Sequence, residues 1–276
     1  MEEQIITIYC LCDEVVKSLE IKDDLQCRMN TAEIMTFALL SAIHYRGDYR
    51  LTCLVAHSCR YFRKLLSHSR IVRRIHSISP TLWQVIFAFL KIILHKSASE
   101  IFIVDSFPVK AYENHKSFRA RLFRGKLFHG YAASKKQYFF GIKVHMVVDE
   151  AGCPIEFCMT PASFSDIHGL QELPLDLPKG SILFGDKAYN SYEIEEVLLE
   201  RDAISLLPKR KKNQKRQLEP LQEWLLGKKR NRIETSFSSI VSRMPRTIRA
   251  RSEAGFYLKI TLFILASMAN TACPIS

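Results

Sequence analysis

At 276 residues, with 47% hydrophobic and 25% charged side chains, the chain is ordinary for a soluble globular protein and long enough for one large domain or two modest ones. Its 40 basic residues outnumber 28 acidic ones, and the resulting net charge of +12 points to a polyanionic partner, nucleic acid or an anionic membrane surface. A membrane span is not expected: the most apolar runs, Leu82–Leu94 and Tyr257–Ala269, are interrupted by Lys91 and Lys259 and fall well short of the ~20 residues a bilayer needs.

The first 96 residues read as all-helical. Glu2 and Glu3 open the chain without the basic start of a signal peptide, so a cytoplasmic protein is expected. Ile5–Leu19 carries apolar positions at helical spacing. Asn30, with Glu33 three residues on, is an N-cap signature ahead of the apolar run Ile34–Ile43, and Gly47-Asp48 ends that helix. Arg50–Leu66 predicts another helix, the basic segment Ser67–His76 follows, and Pro80 opens a helix over Thr81–His95. Arg70, Arg73 and Arg74 stand at i, i+3 and i+4 and share one helical face, while Ile71 and Ile75 take the other. Cations at that spacing suit a phosphate backbone, and short helices joined by short turns suit a helix-turn-helix-like DNA-binding region; the solvated face of a small bundle would look the same. Cys53, His57 and Cys59 lack a fourth ligand at metal spacing, and none of the eight cysteines forms a Cys-x-x-Cys pair. Buried thiols in a reducing compartment are therefore expected in place of zinc.

From residue 97 the period changes. Ile101–Val104 is a run of β-formers leading into Asp105, with Pro108 expected to stop the strand. Such a strand sets a carboxylate at the carboxyl end of a sheet, where open α/β sheets place ligands. Lys110, Lys116, Arg119, Arg121, Arg124 and Lys126 then alternate with Phe118, Phe123, Phe128 and Tyr131, a mixture suited to phosphate contact and base stacking. Tyr138–Asp149 alternates as a half-buried strand, and Glu150-Ala151-Gly152 turns it into a hairpin partner over Pro154–Thr160. A loop and a short helix over His168–Leu173 lead to Ser181–Gly185, which repeats the first pattern and ends in Asp186. Asn190 or Ser191 caps a helix over Tyr192–Arg201, and Ala203–Leu207 is one more strand. A hairpin followed by parallel strands with helices between them gives an α/β fold, a mixed five-stranded sheet flanked by helices.

Pro208–Arg216 sets six cations in nine residues, among them Lys209, Arg210, Lys211 and Lys212; a block this dense is a solvated arm or a polyanion contact. Glu219–Leu226 and Arg230–Met244 read as two helices, the second bearing Arg230, Arg232, Glu234 and Arg243. The last helix, Glu253–Ala269, is expected to pack on the core, giving a second domain over 97–276.

Three acids then stand out: Asp105, Asp186 and Glu234, the last among Lys228, Lys229, Arg230 and Arg232. Phosphodiester cleavage needs an activated water or hydroxyl and relief of charge on the attacking and leaving oxygens. Two divalent ions about 4 Å apart supply both, and hard cations such as Mg²⁺ take carboxylate oxygens. Asp105 would bridge, with Asp186 on one ion and Glu234 on the other. Either aspartate alone is more often a cap or turn residue than a ligand. Lys187, beside Asp186, is a candidate phosphate contact, whereas Asp166 and His168 could reach the site but read as structural.

The strings Val-Asp-Ser-Phe-Pro-Val-Lys at Asp105, Gly-Asp-Lys-Ala-Tyr-Asn-Ser-Tyr-Glu at Asp186 and Arg-Ile-Glu-Thr-Ser-Phe-Ser-Ser-Ile at Glu234, with acids 81 and 48 positions apart (186 − 105; 234 − 186), resemble a bacterial DDE-type insertion-sequence transposase, most like the insertion-sequence 982 family. The resemblance implies an RNase H-like core and two Mg²⁺ ions, with Mn²⁺ able to substitute, held by Asp105, Asp186 and Glu234. It implies double-stranded DNA as partner, at element ends and at the target, and a homodimer to bring two ends together in the bacterial nucleoid. Related families carry Tyr-x2-Arg-x3-Glu-x6-Lys around the last acid. Here Arg230 fills the Arg slot, Gly227 and Val241 stand in the Tyr and Lys slots, and Arg243 is a candidate replacement for the lysine. The implied reaction frees a 3′-OH at the element's end, and that hydroxyl attacks target DNA. A metal nuclease or junction resolvase on the same fold, and a catalytically silent DNA-binding repressor, are the competing readings.

Overall fold

The computed structural model describes residues 2–95, 100–113, 115, 118, 121–132, 136–210 and 213–273. Two compact units divide the chain, one of Met1–Lys96 with Ser239–Ser276 and one of Ser97–Ser238.

The first unit holds α1 (Glu2–Ser18), α2 (Thr31–His44), α3 (Tyr49–Ser58), α4 (His68–Ser77), α5 (Pro80–Leu94) and α9 (Glu253–Ala272). The expected cap of α2 is present in both halves: Glu33 N donates to Asn30 Oδ1 at 2.7 Å, and Asn30 N donates to Glu33 Oε2 at 2.8 Å. The helix expected over Arg50–Leu66 ends early. Arg60 adopts a left-handed φ of 54°, and Tyr61 N turns back to Ala56 O at 3.2 Å, the closure that commonly terminates helices.

The last helix, α9, packs on α2 and α5 inside the helical unit. Its composition explains this. Phe256, Ile260, Leu262, Phe263, Ile264, Leu265 and Met268 are all buried, and a helix apolar nearly all round must be enclosed. By length and composition α9 would suffice to cross a membrane, which the shorter run read from the sequence did not suggest; most of that stretch is buried inside the protein, as in a core helix.

The second unit is a mixed sheet of β1 (Ile101–Tyr112), β2 (His129–Ala132), β3 (Gln137–Asp149), β4 (Pro154–Pro161), β5 (Ile182–Gly185) and β6 (Ser205–Pro208), with α6 (Asp166–Gln171), α7 (Tyr192–Asp202) and most of α8 (Pro220–Arg243). β1 runs antiparallel to β3 and parallel to β5, and β6 continues the parallel side. β4 and β2 share the far edge of β3 end to end. The α/β class, the mixed sheet and the N-terminal helical region are as expected, and the strand order is RNase H-like. There are six strands where five were expected, because β2 pairs with an extension of β3 beyond the hairpin.

Pro108 does not stop β1, which runs on to Tyr112. β5 pairs only with Ile101, Phe102 and Ile103, so from Val104 onward this edge of β1 has no strand partner among the described residues. A missing N–H on such an edge removes no ladder bond. α8 is likewise one continuous helix through Gly227, where two had been expected.

Alternation along β1 sorts the site. Phe102 and Val104 face the core formed with Leu170, Leu183, Tyr189, Leu198 and Leu206. On the opposite face Phe107 meets Phe237 of α8 at 4.7 Å between ring centroids. Asp105 shares the Phe107 face and Ser106 the other, because successive strand side chains point to opposite sides.

Candidate active site

The parallel ladder of β1 with β5 ends at Ile103↔Phe184. Two residues further on stand Asp105, still inside β1, and Asp186, one residue past β5, so both carboxylates lie just beyond the end of that ladder. Each is fixed by a main-chain donor: Ser106 N to Asp105 Oδ1 at 2.8 Å, and Ala188 N to Asp186 Oδ1 at 2.7 Å. The second bond caps a 3-10 turn over Lys187–Tyr189. Asp105 and Asp186 line one cleft with Leu226, Arg230 and Ile233 of α8.

Burial, joined by the charges of Asp186 and Asp166, pushes the Asp105 carboxyl up to about 6; the Ser106 N–H and the Arg230 guanidinium pull the other way. A buried carboxylate whose ionisation a second hard carboxylate opposes is one that a divalent cation between them stabilises. Asp105 and Asp186 therefore fit Mg²⁺ chemically.

Glu234 does not join them in this arrangement. It follows the cleft-lining Ile233, but its side chain is 59% exposed and its Oε1 lies 3.2 Å from Arg230 Nε. Among the described residues no group of three or more His, Cys, Asp or Glu is gathered to hold an ion. The structure thus brings two of the three predicted acids together and leaves the third on the same helix, bound to a cation of the cleft.

Asp166, which read as structural, lies closer to the chemistry than the sequence suggested. It opens α6, accepts a hydrogen bond from Ser106 Oγ at 2.7 Å and receives Lys143 Nζ at 3.3 Å. No motif marked it. The signal lay in a contact 60 residues away along the chain.

The predicted DNA contacts divide. Arg70 and Arg73 are exposed on α4, opposite buried Ile71 and Ile75. Arg74 instead turns inward, to Asp23 Oδ1 at 3.1 Å and Cys27 Sγ at 2.9 Å. Lys187 and Arg232 are exposed, and Lys209 follows β6 with its N–H on Gly185 O at 2.9 Å. Lys110 bonds Gln137 Oε1 at 3.0 Å. Arg210 is no solvated arm: its side chain is 5% exposed and forms a two-pronged pair with Glu195 at 2.8 and 2.6 Å. Arg243 folds back on Ser239 O at 2.8 Å within its own helix. Lys116, Arg119, Lys211 and Lys212 lie outside the described residues. Of the interleaved aromatics, Phe123 is buried against Phe128, whereas Tyr131 is exposed beside Tyr138.

No curated protein matches the chain. Residues 96–269, well over half of it, match the family described as Transposase DDE domain. A mixed sheet with two aspartates in one cleft just past the β1–β5 ladder, carried by a chain with this match, places the protein in the transposase DDE-domain family, whose members are DDE-type transposases acting on DNA.

Proposed function

We propose that the protein cleaves DNA at the ends of an insertion sequence and joins the freed 3′-OH to target DNA. The observation that carries this reading is the convergence of Asp105 and Asp186 on one cleft at the end of the parallel ladder. Asp105 and Asp186 would hold Mg²⁺, or Mn²⁺ in its place, with Glu234 completing a two-ion site once it leaves Arg230. Bound there, the ions would supply charge relief at the attacking and leaving oxygens. The chain's own residues do the rest. Asp105 and Asp186 are preset by main-chain donors, and the exposed Lys187, next to Asp186, and Arg232, on the helix that lines the cleft, offer phosphate contacts. In the first step water breaks a P–O bond and leaves a 3′-OH; in the second that hydroxyl attacks a target phosphodiester and displaces its 3′ oxygen.

The helical region 1–96, through Arg70 and Arg73 of α4, would bind the terminal repeats. A homodimer would hold two ends, in the cytoplasm of a bacterium and on its nucleoid. Within DDE transposases, the motif strings favour the insertion-sequence 982 group.

Purified protein incubated with Mg²⁺ and DNA carrying the element's ends should give cut and joined products, both abolished by Asp105→Asn with DNA binding retained. Cuts without joining would favour a nuclease or resolvase. The separation of Glu234 from the two aspartates favours one further reading, a catalytically silent DNA-binding repressor; in that case Asp105→Asn leaves the biological effect untouched.

A further inference from the structure

We propose that Asp166 is a positioning residue that acts through Ser106 to fix the Asp105 carboxylate for ion binding. This rests on the reading of Asp105 and Asp186 as the ion-holding pair.

Ser106 touches both acids from a single position. Its N–H donates to Asp105 Oδ1 at 2.8 Å, and its hydroxyl donates to Asp166 Oδ1 at 2.7 Å. Strand alternation requires this division, since the Asp105 side chain leaves on the α8 face of the sheet and the Ser106 side chain on the other. Ser106 is therefore clamped from beneath while its backbone orients the carboxylate above.

The clamp is itself braced. Lys143 Nζ reaches Asp166 Oδ1 at 3.3 Å and Phe164 O at 2.8 Å, tying the loop ahead of α6 to β3. α6 sits directly on the fully buried His145 ring: a Cβ on Gly169 would lie 2.2 Å from it. His145 Nε2 in turn bonds Thr160 Oγ1 at 2.9 Å, so the floor under α6 is anchored to β4.

A loop anchor alone does not require this arrangement. Glu156 shows the simpler form, accepting the N–H groups of Leu175 and Asp176, both at 2.7 Å. Asp166 instead accepts from the hydroxyl of Ser106, the residue whose own N–H orients the Asp105 carboxylate. The buried Tyr189 hydroxyl lies beside Ser106 and within electrostatic range of Asp166, Asp105 and Asp186. Polar groups behind metal-ligating carboxylates orient them in this way.

The test titrates Mn²⁺ calorimetrically into the full chain and follows Mg²⁺-dependent cleavage of end DNA separately. The proteins compared are wild type, Ser106→Ala, Asp166→Ala, Asp166→Asn and the Ser106→Ala/Asp166→Ala double variant. Each alanine variant should weaken Mn²⁺ binding roughly 10- to 100-fold while DNA affinity holds. The double variant should be no weaker than the worse single one, because both changes cut one path. Asp166→Asn keeps an oxygen that accepts from Ser106 and should recover most of the loss. Losses that multiply in the double variant, or wild-type Mn²⁺ affinity in folded Asp166→Ala, overturn the proposal. If Asp166→Ala does not fold, Ser106→Ala and Asp166→Asn decide it: a weakened serine variant beside a near-normal asparagine variant supports it, and any other pairing overturns it. Wild-type protein that binds no Mn²⁺, or Asp105→Asn that binds it normally, would sink the underlying reading as well, an outcome distinct from failure of the clamp alone.

Discussion

Arg230 holds Glu234 at 3.2 Å and lines the same cleft as Asp105, whose ionisation its charge favours. One guanidinium thus compensates the buried acid and occupies the acid that should complete the site. Arg230 is half-buried and Glu234 exposed, one helical turn apart, the kind of pair that contributes little to stability.

Arg230→Gln should therefore leave the unfolding midpoint at about pH 4 almost unchanged, where folded Asp105 holds its proton, while moving Asp105 further up from about 6. Carboxyl-detected NMR titration of Asp105, beside a urea melt, checks both halves. A downward move would mean that the guanidinium does not act on Asp105.

Asp105 itself should cost stability in the absence of a divalent ion. Its folded value of about 6 lies above the ordinary 3.8. Below pH 3.8 both folded and unfolded chains hold the proton and the group contributes nothing. As pH rises through 6, the folded protein must ionise a carboxyl that the unfolded chain ionises readily, so stability is lost. At about 1.4 kcal/mol per pH unit, the penalty is on the order of 3 kcal/mol before screening. Asp105→Asn should raise the urea midpoint at pH 8 in chelator and change it little at pH 4; an equal shift at both values would contradict the assignment.

The sequence showed the two aspartates clearly because each follows an apolar β-run, a local pattern that survives folding. It misjudged Pro108 because a proline is harmful only where its N–H is needed, and that depends on how far β5 extends beside β1. It missed the clamp on Ser106 because Asp166 belongs to a different element, and no local period reports a contact between faces of a sheet. The placement of α9 was hidden for a similar reason: an apolar helix announces that it is buried without announcing against what.

The basic block after β6 also hid its division of labour. Lys209 and Arg210 are neighbours in sequence, yet Arg210 is buried on Glu195 and Lys209 is not. Removing one partner of a buried pair strands the other, so Arg210→Ala should cost about 3–5 kcal/mol. Lys209→Ala should stay within about 0.5 kcal/mol of wild type. Chemical denaturation of the two variants reads the contrast directly.

On α4 the arginines should separate in the same manner. Arg70 and Arg73 are exposed, so replacing each by alanine should weaken DNA binding and lower the salt slope by about 1 per residue without loss of stability. Arg74 is held by Asp23 and Cys27, and its alanine variant should lower stability instead. Fluorescence anisotropy across a salt series, paired with thermal melts, distinguishes the two roles; equal salt slopes for all proteins would remove α4 from the DNA contact.

The seat of α6 makes the sharpest demand on a single residue. A Cβ at position 169 would fall 2.2 Å from the His145 ring, far inside van der Waals contact. The ring cannot retreat easily, because it is fully buried and bonded to Thr160. Gly169→Ala should therefore force α6 away from the sheet at a cost of about 1–3 kcal/mol, carrying Asp166 with it. His145→Ala would remove the obstacle, so the double variant should be less destabilised than the sum of the singles, a coupling expected only between groups in contact. Urea denaturation of the four proteins measures that coupling, and strict additivity would show that α6 does not rest on His145.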